Sequence, residues 1–222
     1  MPDLVVFVAG TGTEVGKTWA GAEIARALRA DGHEVHARKP LQSFEERSGP
    51  TDADVLAEAT GEDPAVVCLP HRWLPLPMAP PMAAEALGHE PLALEDVVAD
   101  VDLPASGIVL VEGVGGPRSP VTDDGDNVDL ARAIGAQVVV LVAHAGLGTI
   151  NEVVLSSEAF GSLPLVVFLN RYDDADDLHL RNRRWLAEVC GIDAEIEASA
   201  VADRLVAHSE RAVPDEHATE VG

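Results

Sequence analysis

Leu4-Val5-Val6-Phe7-Val8-Ala9-Gly10-Thr11-Gly12-Thr13-Glu14-Val15-Gly16-Lys17-Thr18 is the stretch on which the fold turns. Its first six residues are apolar without alternation, the pattern of a strand covered on both faces. After Gly16, the residues Ala20, Ile24, Ala27 and Leu28 recur on one helical face. A buried strand that breaks at a glycine-bearing loop and resumes as a helix aims loop N–H groups and a helix N-terminus at one point. That point suits a phosphate, with Lys17 adding a point charge and the Thr18 hydroxyl in reach of Mg²⁺. Gly10, Thr13, Glu14, Val15, Gly16, Lys17 and Thr18 are therefore the candidate nucleotide-binding residues. The spacing is unusual: the common pattern puts its first glycine at position 11, which is Thr here, and Gly10 lies one residue earlier.

The same apolar texture returns at 108–111, 138–142 and 165–169, with helical spacing in between. Ile150, Val153 and Val154 share one helical face, and Leu178, Trp185, Leu186 and Val189 suggest another helix. A short strand near 35–37 and a helix near 52–59 fit the plan. Alternating strands and helices predict an α/β fold: one doubly wound domain over residues 1–212, a mostly parallel central sheet and helices on both faces. The proline-rich stretch 69–81 is expected to be a surface loop with no regular helix before about Met82. The polar, acidic tail 213–222 is expected to be flexible.

Composition narrows the partners. The 222 residues carry 38 acidic side chains against 15 basic ones, a formal charge of −23, with 47% hydrophobic residues to build a core. So negative a surface repels nucleic acid and anionic membranes. Excess carboxylate with almost no lysine points to a saline cytoplasm, where screening softens self-repulsion. No signal-like or membrane-spanning segment is evident, so a cytoplasmic location is expected. Cys68 and Cys190 lack disulfide-framework or metal spacing and are expected to be buried. Trp19, Trp73 and Trp185 are dispersed and are expected to pack rather than stack on a cofactor. The histidines show no metallohydrolase spacing, and no serine sits in a nucleophile elbow.

Only two lysines occur, Lys17 and Lys39. Lys39 ends the second expected strand, and parallel strands bring their carboxyl ends to one edge, so it should approach the phosphate loop. Asp54, in a helix start, and Glu112, ending a strand before Gly113-Val114-Gly115-Gly116, are the candidate Mg²⁺ carboxylates with Thr18. The loop Gly146-Leu147-Gly148-Thr149-Ile150-Asn151 opens a helix and is a second candidate anion site, suited to a carboxylate. Asn170 has the donors and acceptor to read an adenine edge, or is an ordinary turn residue.

Together these motifs resemble the dethiobiotin synthetase family over residues 4–171. The carriers are the loop from Gly10 to Thr18, Lys39-Pro40 with Ser43, Asp54, Pro77-x-x-Pro80, Val111-Glu112-Gly113-Val114-Gly115-Gly116, Gly146 to Asn151, and Asn170. The resemblance implies a P-loop NTPase-like fold and a ligase of biotin biosynthesis acting on 7,8-diaminopelargonic acid, CO₂ and ATP with Mg²⁺. It implies Lys17 and Lys39 as catalytic groups, Thr18, Asp54 and Glu112 around the metal, and Asn170 at the adenine. Thr13, Ser43, Gly148, Thr149, Ile150 and Asn151 would meet the substrate, with Glu14 beside them, the last four across a homodimer interface. Members commonly differ at Gly12, Glu152 and Arg171. The competing reading is a partition-type ATPase or nucleotide switch without diamine-dependent turnover; its signature lysine would fall at Gly12. A cobyrinate diamide synthase would need a glutaminase half and a nucleophilic cysteine.

Overall fold

The computed structural model describes residues 1–47 and 49–212, so the tail expected to be flexible lies outside the described residues. The apolar runs become strands. In chain order these are β1 (Leu4–Gly10), β2 (Val35–Arg38), β3 (Gln42–Ser43), β4 (Trp73–Leu74), β5 (Ile108–Glu112), β6 (Val138–His144), β7 (Leu165–Asn170) and β8 (Ala194–Glu195). Six form one sheet in the order β2-β5-β1-β6-β7-β8, and every neighbouring pair in it is parallel. The helices are α1 (Lys17–Ala30), α2 (Asp52–Thr60), α3 (Pro64–Val67), α4 (Pro80–Ala86), α5 (Leu94–Ala99), α6 (Asn127–Ala133), α7 (Thr149–Phe160), α8 (Asp177–Glu188) and α9 (Ala198–Ala212).

Because side chains alternate across a strand, continuous apolar runs fill two cores at once. Leu4, Val6 and Val8 of β1 face one core with Ile24 and Leu28 of α1 and Val201 and Leu205 of α9. Val5, Phe7 and Ala9 face the other, with Ala83 of α4, Leu130 of α6, Phe160 of α7 and Leu186 of α8. Full burial of Phe7 or Phe168 contributes roughly 1.5–3 kcal/mol each. The expected doubly wound sheet with helices on both faces is present. With all strands parallel, Gly10, Arg38, Glu112, His144 and Asn170 end at one edge, and the sheet order reverses at β1. The crevice for a ligand opens there.

Four local expectations change. α4 starts at Pro80 rather than near Met82, since the first helical turn has no N–H partner for proline to lose. Within the stretch 69–81, β4 pairs in parallel with β3 and ties the segment to the residues after β2. On α8, Leu186 is buried, while Trp185 and Leu178 are 52% and 39% exposed, so the helix packs on a different face from the one its apolar residues suggested. Cys68 is buried as expected, but Cys190 only in part. No helix among the described residues is long and apolar enough to cross a membrane.

Candidate nucleotide-binding and phosphoryl-transfer site

The phosphate loop runs from the end of β1 into α1. Gly16, the N-cap, has φ 92°, and a Cβ there would collide with Asn170 Nδ2, so both conformation and space require glycine. The Lys17 ammonium folds over the loop and donates to the Gly12 carbonyl at 3.1 Å. Asn170 braces the loop: its Nδ2 donates to the Val15 carbonyl at 2.9 Å, and its Oδ1 accepts from the Arg171 N–H at 2.9 Å.

Lys39, at the carboxyl edge as expected, is 2% exposed. Its Nζ lies 2.6 Å from Glu112 Oε1, 2.8 Å from Asp52 Oδ2 and 3.0 Å from the Gly113 carbonyl. The Thr18 hydroxyl lies 2.9 Å from both Asp52 Oδ1 and Glu112 Oε1. Burial alone would pull the Lys39 ammonium down, but Glu112 and Asp52 outweigh it and hold its pKa above the ordinary value. Lys17 moves the other way, lowered first by burial and then by the neighbouring Lys39 charge. Burial opposes ionisation of Asp52, yet Lys39 keeps its carboxyl below the usual range. Burial raises Glu112, with Asp52 adding to the rise against the pull of Lys39.

Asp54, expected at the metal, is turned elsewhere. Its Oδ2 accepts from the Thr51 N–H and hydroxyl, each at 2.8 Å, in a capping box that starts α2. Two residues are 200° apart on a helix, so Asp52 faces the site and Asp54 does not. Asp52, Thr18 and Glu112 form the donor set. One hydroxyl hydrogen cannot serve both carboxylates, and Glu112 Oε2 is buried without a partner. Three convergent hard oxygens with that surplus of lone pairs fit a divalent cation such as Mg²⁺. No cluster of three or more His, Cys, Asp or Glu suited to a metal occurs among the described residues.

These groups open into a cleft of about 610 Å³ that Thr13, Glu14, Ser43, Met78 and Gly115 also line. Asn127, not singled out from the sequence, pins the glycine loop after β5. Its Oδ1 accepts from Val114 N–H, and its Nδ2 donates to the Gly116 carbonyl at 2.7 Å. Gly148, Thr149, Ile150 and Asn151 start α7 but are not on the wall of this cleft. The next residue, Glu152, reaches the phosphate loop: its Oε2 accepts from the Thr11 hydroxyl at 3.3 Å and lies 3.5 Å from His144 Nε2.

A family model described as an AAA domain matches residues 5–201. The ATP-dependent dethiobiotin synthetase BioD of Anaeromyxobacter dehalogenans is 41% identical over 78% of each chain. Those of Caulobacter sp. strain K31 and Aromatoleum aromaticum are 39% and 34% identical, over 80% and 84% of this chain and 80% and 88% of theirs. Two solved structures share the fold. A cobyrinic acid a,c-diamide synthase from Mycobacterium smegmatis has a TM-score of 0.51 at 16% identity, covering 93% of this chain and 96% of that one. The pNOB8 ParA structure has a TM-score of 0.56 at 12% identity, covering 95% and 99%.

Proposed function

The chain belongs to the family of ATP-dependent dethiobiotin synthetases, and we propose that it makes dethiobiotin, ADP and phosphate from 7,8-diaminopelargonic acid, CO₂ and ATP. One amine adds to CO₂ and loses a proton to give a carbamate. A carbamate oxygen attacks the γ-phosphorus and releases ADP. The second amine then attacks the activated carbonyl carbon, closes the ureido ring and expels phosphate.

The observation that carries this reading is the meeting of the chain's two lysines, Lys17 and Lys39, with Thr18, Asp52 and Glu112 at one cleft. Lys17 leaves the Gly12 carbonyl for the phosphates, and Lys39 offsets charge on the carbamate and the transferring group. The Lys39 ammonium, held by Glu112, Asp52 and the Gly113 carbonyl, needs little reorganisation as charge develops, which favours phosphoryl transfer. Thr18, Asp52 and Glu112 would hold Mg²⁺, which when bound offsets phosphate charge. Thr13, Glu14 and Ser43 line the space for the diamine and its carbamate. Gly148, Thr149, Ile150 and Asn151 are outside that cleft, and their proposed contact with the substrate carboxylate is made across a homodimer. A cytoplasmic, salt-adapted setting accords with the charge of −23.

The test is phosphate release with ATP, Mg²⁺, bicarbonate and diaminopelargonic acid. Release should require the diamine and yield dethiobiotin. Release indifferent to the diamine would favour a switch ATPase instead.

A further inference from the structure

Gln42 is a polar side chain in an apolar place: it is 1% exposed, and the two ends of its amide fare differently. Its Oε1 accepts from the Ala53 N–H at 3.0 Å, while its Nε2 is buried without a partner. An unpaired buried donor is unfavourable, and a methionine or leucine of similar volume would fill the space without one. What the glutamine alone supplies is an acceptor for one backbone N–H.

That N–H belongs to the first turn of α2, directly after Asp52. The first N–H groups of a helix have no intrahelical partner, so the partners they find outside it fix where the turn sits. The Asp54 N–H goes to the Thr51 hydroxyl at 3.3 Å, a bond inside the helix's own cap that travels with it. The Ala53 N–H goes to Gln42 of β3, a separate element. Leu56 and Ala57 of α2 are buried in an apolar cluster, but packing of that kind is non-directional. Residues 45–47 and 49–50, which lead into the helix, are exposed. Lys39, three residues before Gln42, lies 2.8 Å from the Asp52 carboxylate. Residues 39–42 therefore grip Asp52 twice, by charge at its side chain and by a hydrogen bond at the neighbouring peptide.

We propose that Gln42 is a positioning residue of the metal site: it fixes the first turn of α2 so that the Asp52 carboxylate meets Thr18 and the cation. The inference rests on Thr18, Asp52 and Glu112 being the Mg²⁺ donors, and deepens the function above. Its test is calorimetric titration with a non-hydrolysable ATP analogue, with and without Mg²⁺, in the wild type, Gln42→Met, Gln42→Asn, Asp52→Asn and the double variant Gln42→Met/Asp52→Asn. The ratio of the two affinities isolates the metal. It should fall roughly three- to tenfold in Gln42→Met, the effect of one buried hydrogen bond. It should fall as far in Gln42→Asn, which keeps an amide but is one methylene too short to reach Ala53. With Asp52 already replaced, Gln42→Met should change the ratio by less than about twofold, because Gln42 acts through Asp52. An unchanged ratio in Gln42→Met or Gln42→Asn, effects that multiply in the double variant, or no gain from Mg²⁺ in the wild type each overturns the proposal. The melting temperature of Gln42→Met should stay within a few degrees of the wild type, since the lost bond is set against removal of an unpaired buried donor. A fall of more than about 10 °C would make Gln42 a support of the fold rather than of the site, and overturns it too. No diamine enters these titrations, so a failure of diamine-dependent turnover counts against the synthetase reading alone and leaves the role of Gln42 decided.

Discussion

Two carboxylates two residues apart, Asp52 and Asp54, divide a chemical and a structural task at the start of α2. Asp52→Asn should lower Mg²⁺-dependent turnover at least tenfold, because a hard anionic ligand and a Lys39 partner are lost together. Asp54→Asn should leave turnover within about twofold and lower the unfolding free energy by about 1 kcal/mol, the usual scale of a cap. Steady-state kinetics and denaturant unfolding of the two variants separate the roles; the opposite pattern would restore Asp54 to the site. Lys39→Ala should cost roughly 10²-fold in turnover, like loss of one preorganised transition-state donor. Lys17 gives a pH signature. Its pKa is lowered by burial and by Lys39, so as pH rises it loses its proton, and nucleotide affinity falls, below the ordinary lysine value of about 10.4. In Lys39→Ala the neighbouring cation is gone while Glu112 and Asp52 remain, and that limb should move to higher pH. A limb that stays in place would mean the two ammonium groups are not coupled.

At the scale of elements, β1, the loop and α1 were legible because their signals are local: an apolar run, glycines, Gly-Lys-Thr and a helical period follow one another along the chain. Gly16 is the hinge of that unit. Gly16→Ala should abolish nucleotide binding and lower the melting temperature, because it combines a strained positive φ, costing about 1–3 kcal/mol, with a collision against Asn170. Near-normal ADP titration in that variant would mean the loop can relax elsewhere. Elements whose place depends on partners were harder to read. The β3–β4 pair joins two-residue strands with no periodicity to detect. α8 carries its apolar residues on more than one face, and packing on β8 and α7 selected the face with Leu186. The capping-box spacing Thr51-x-x-Asp54 was present in the sequence and, taken as a helix start, indicates that Asp54 serves the backbone.

Over the whole molecule, the charge of −23 sets self-repulsion against two buried apolar layers. Repulsion between exposed carboxylates is screened over about 10 Å at 0.1 M salt and about 3 Å at 1 M. The melting temperature should therefore rise by several degrees between these salt concentrations, about 2–4 °C for each kcal/mol of relief. A flat or falling melting curve would count against salt adaptation. The sequence by itself determined the parallel α/β plan, the phosphate loop and the two lysines, because each is written in contiguous residues or in the common edge that parallel strands must share. Only the tertiary structure decided which carboxylates join them and what Asn170 does with its amide. Those outcomes hang on contacts between residues 34, 94 and 155 positions apart. They also depend on helical phase, where a step of two residues turns a side chain through 200° and away from the site.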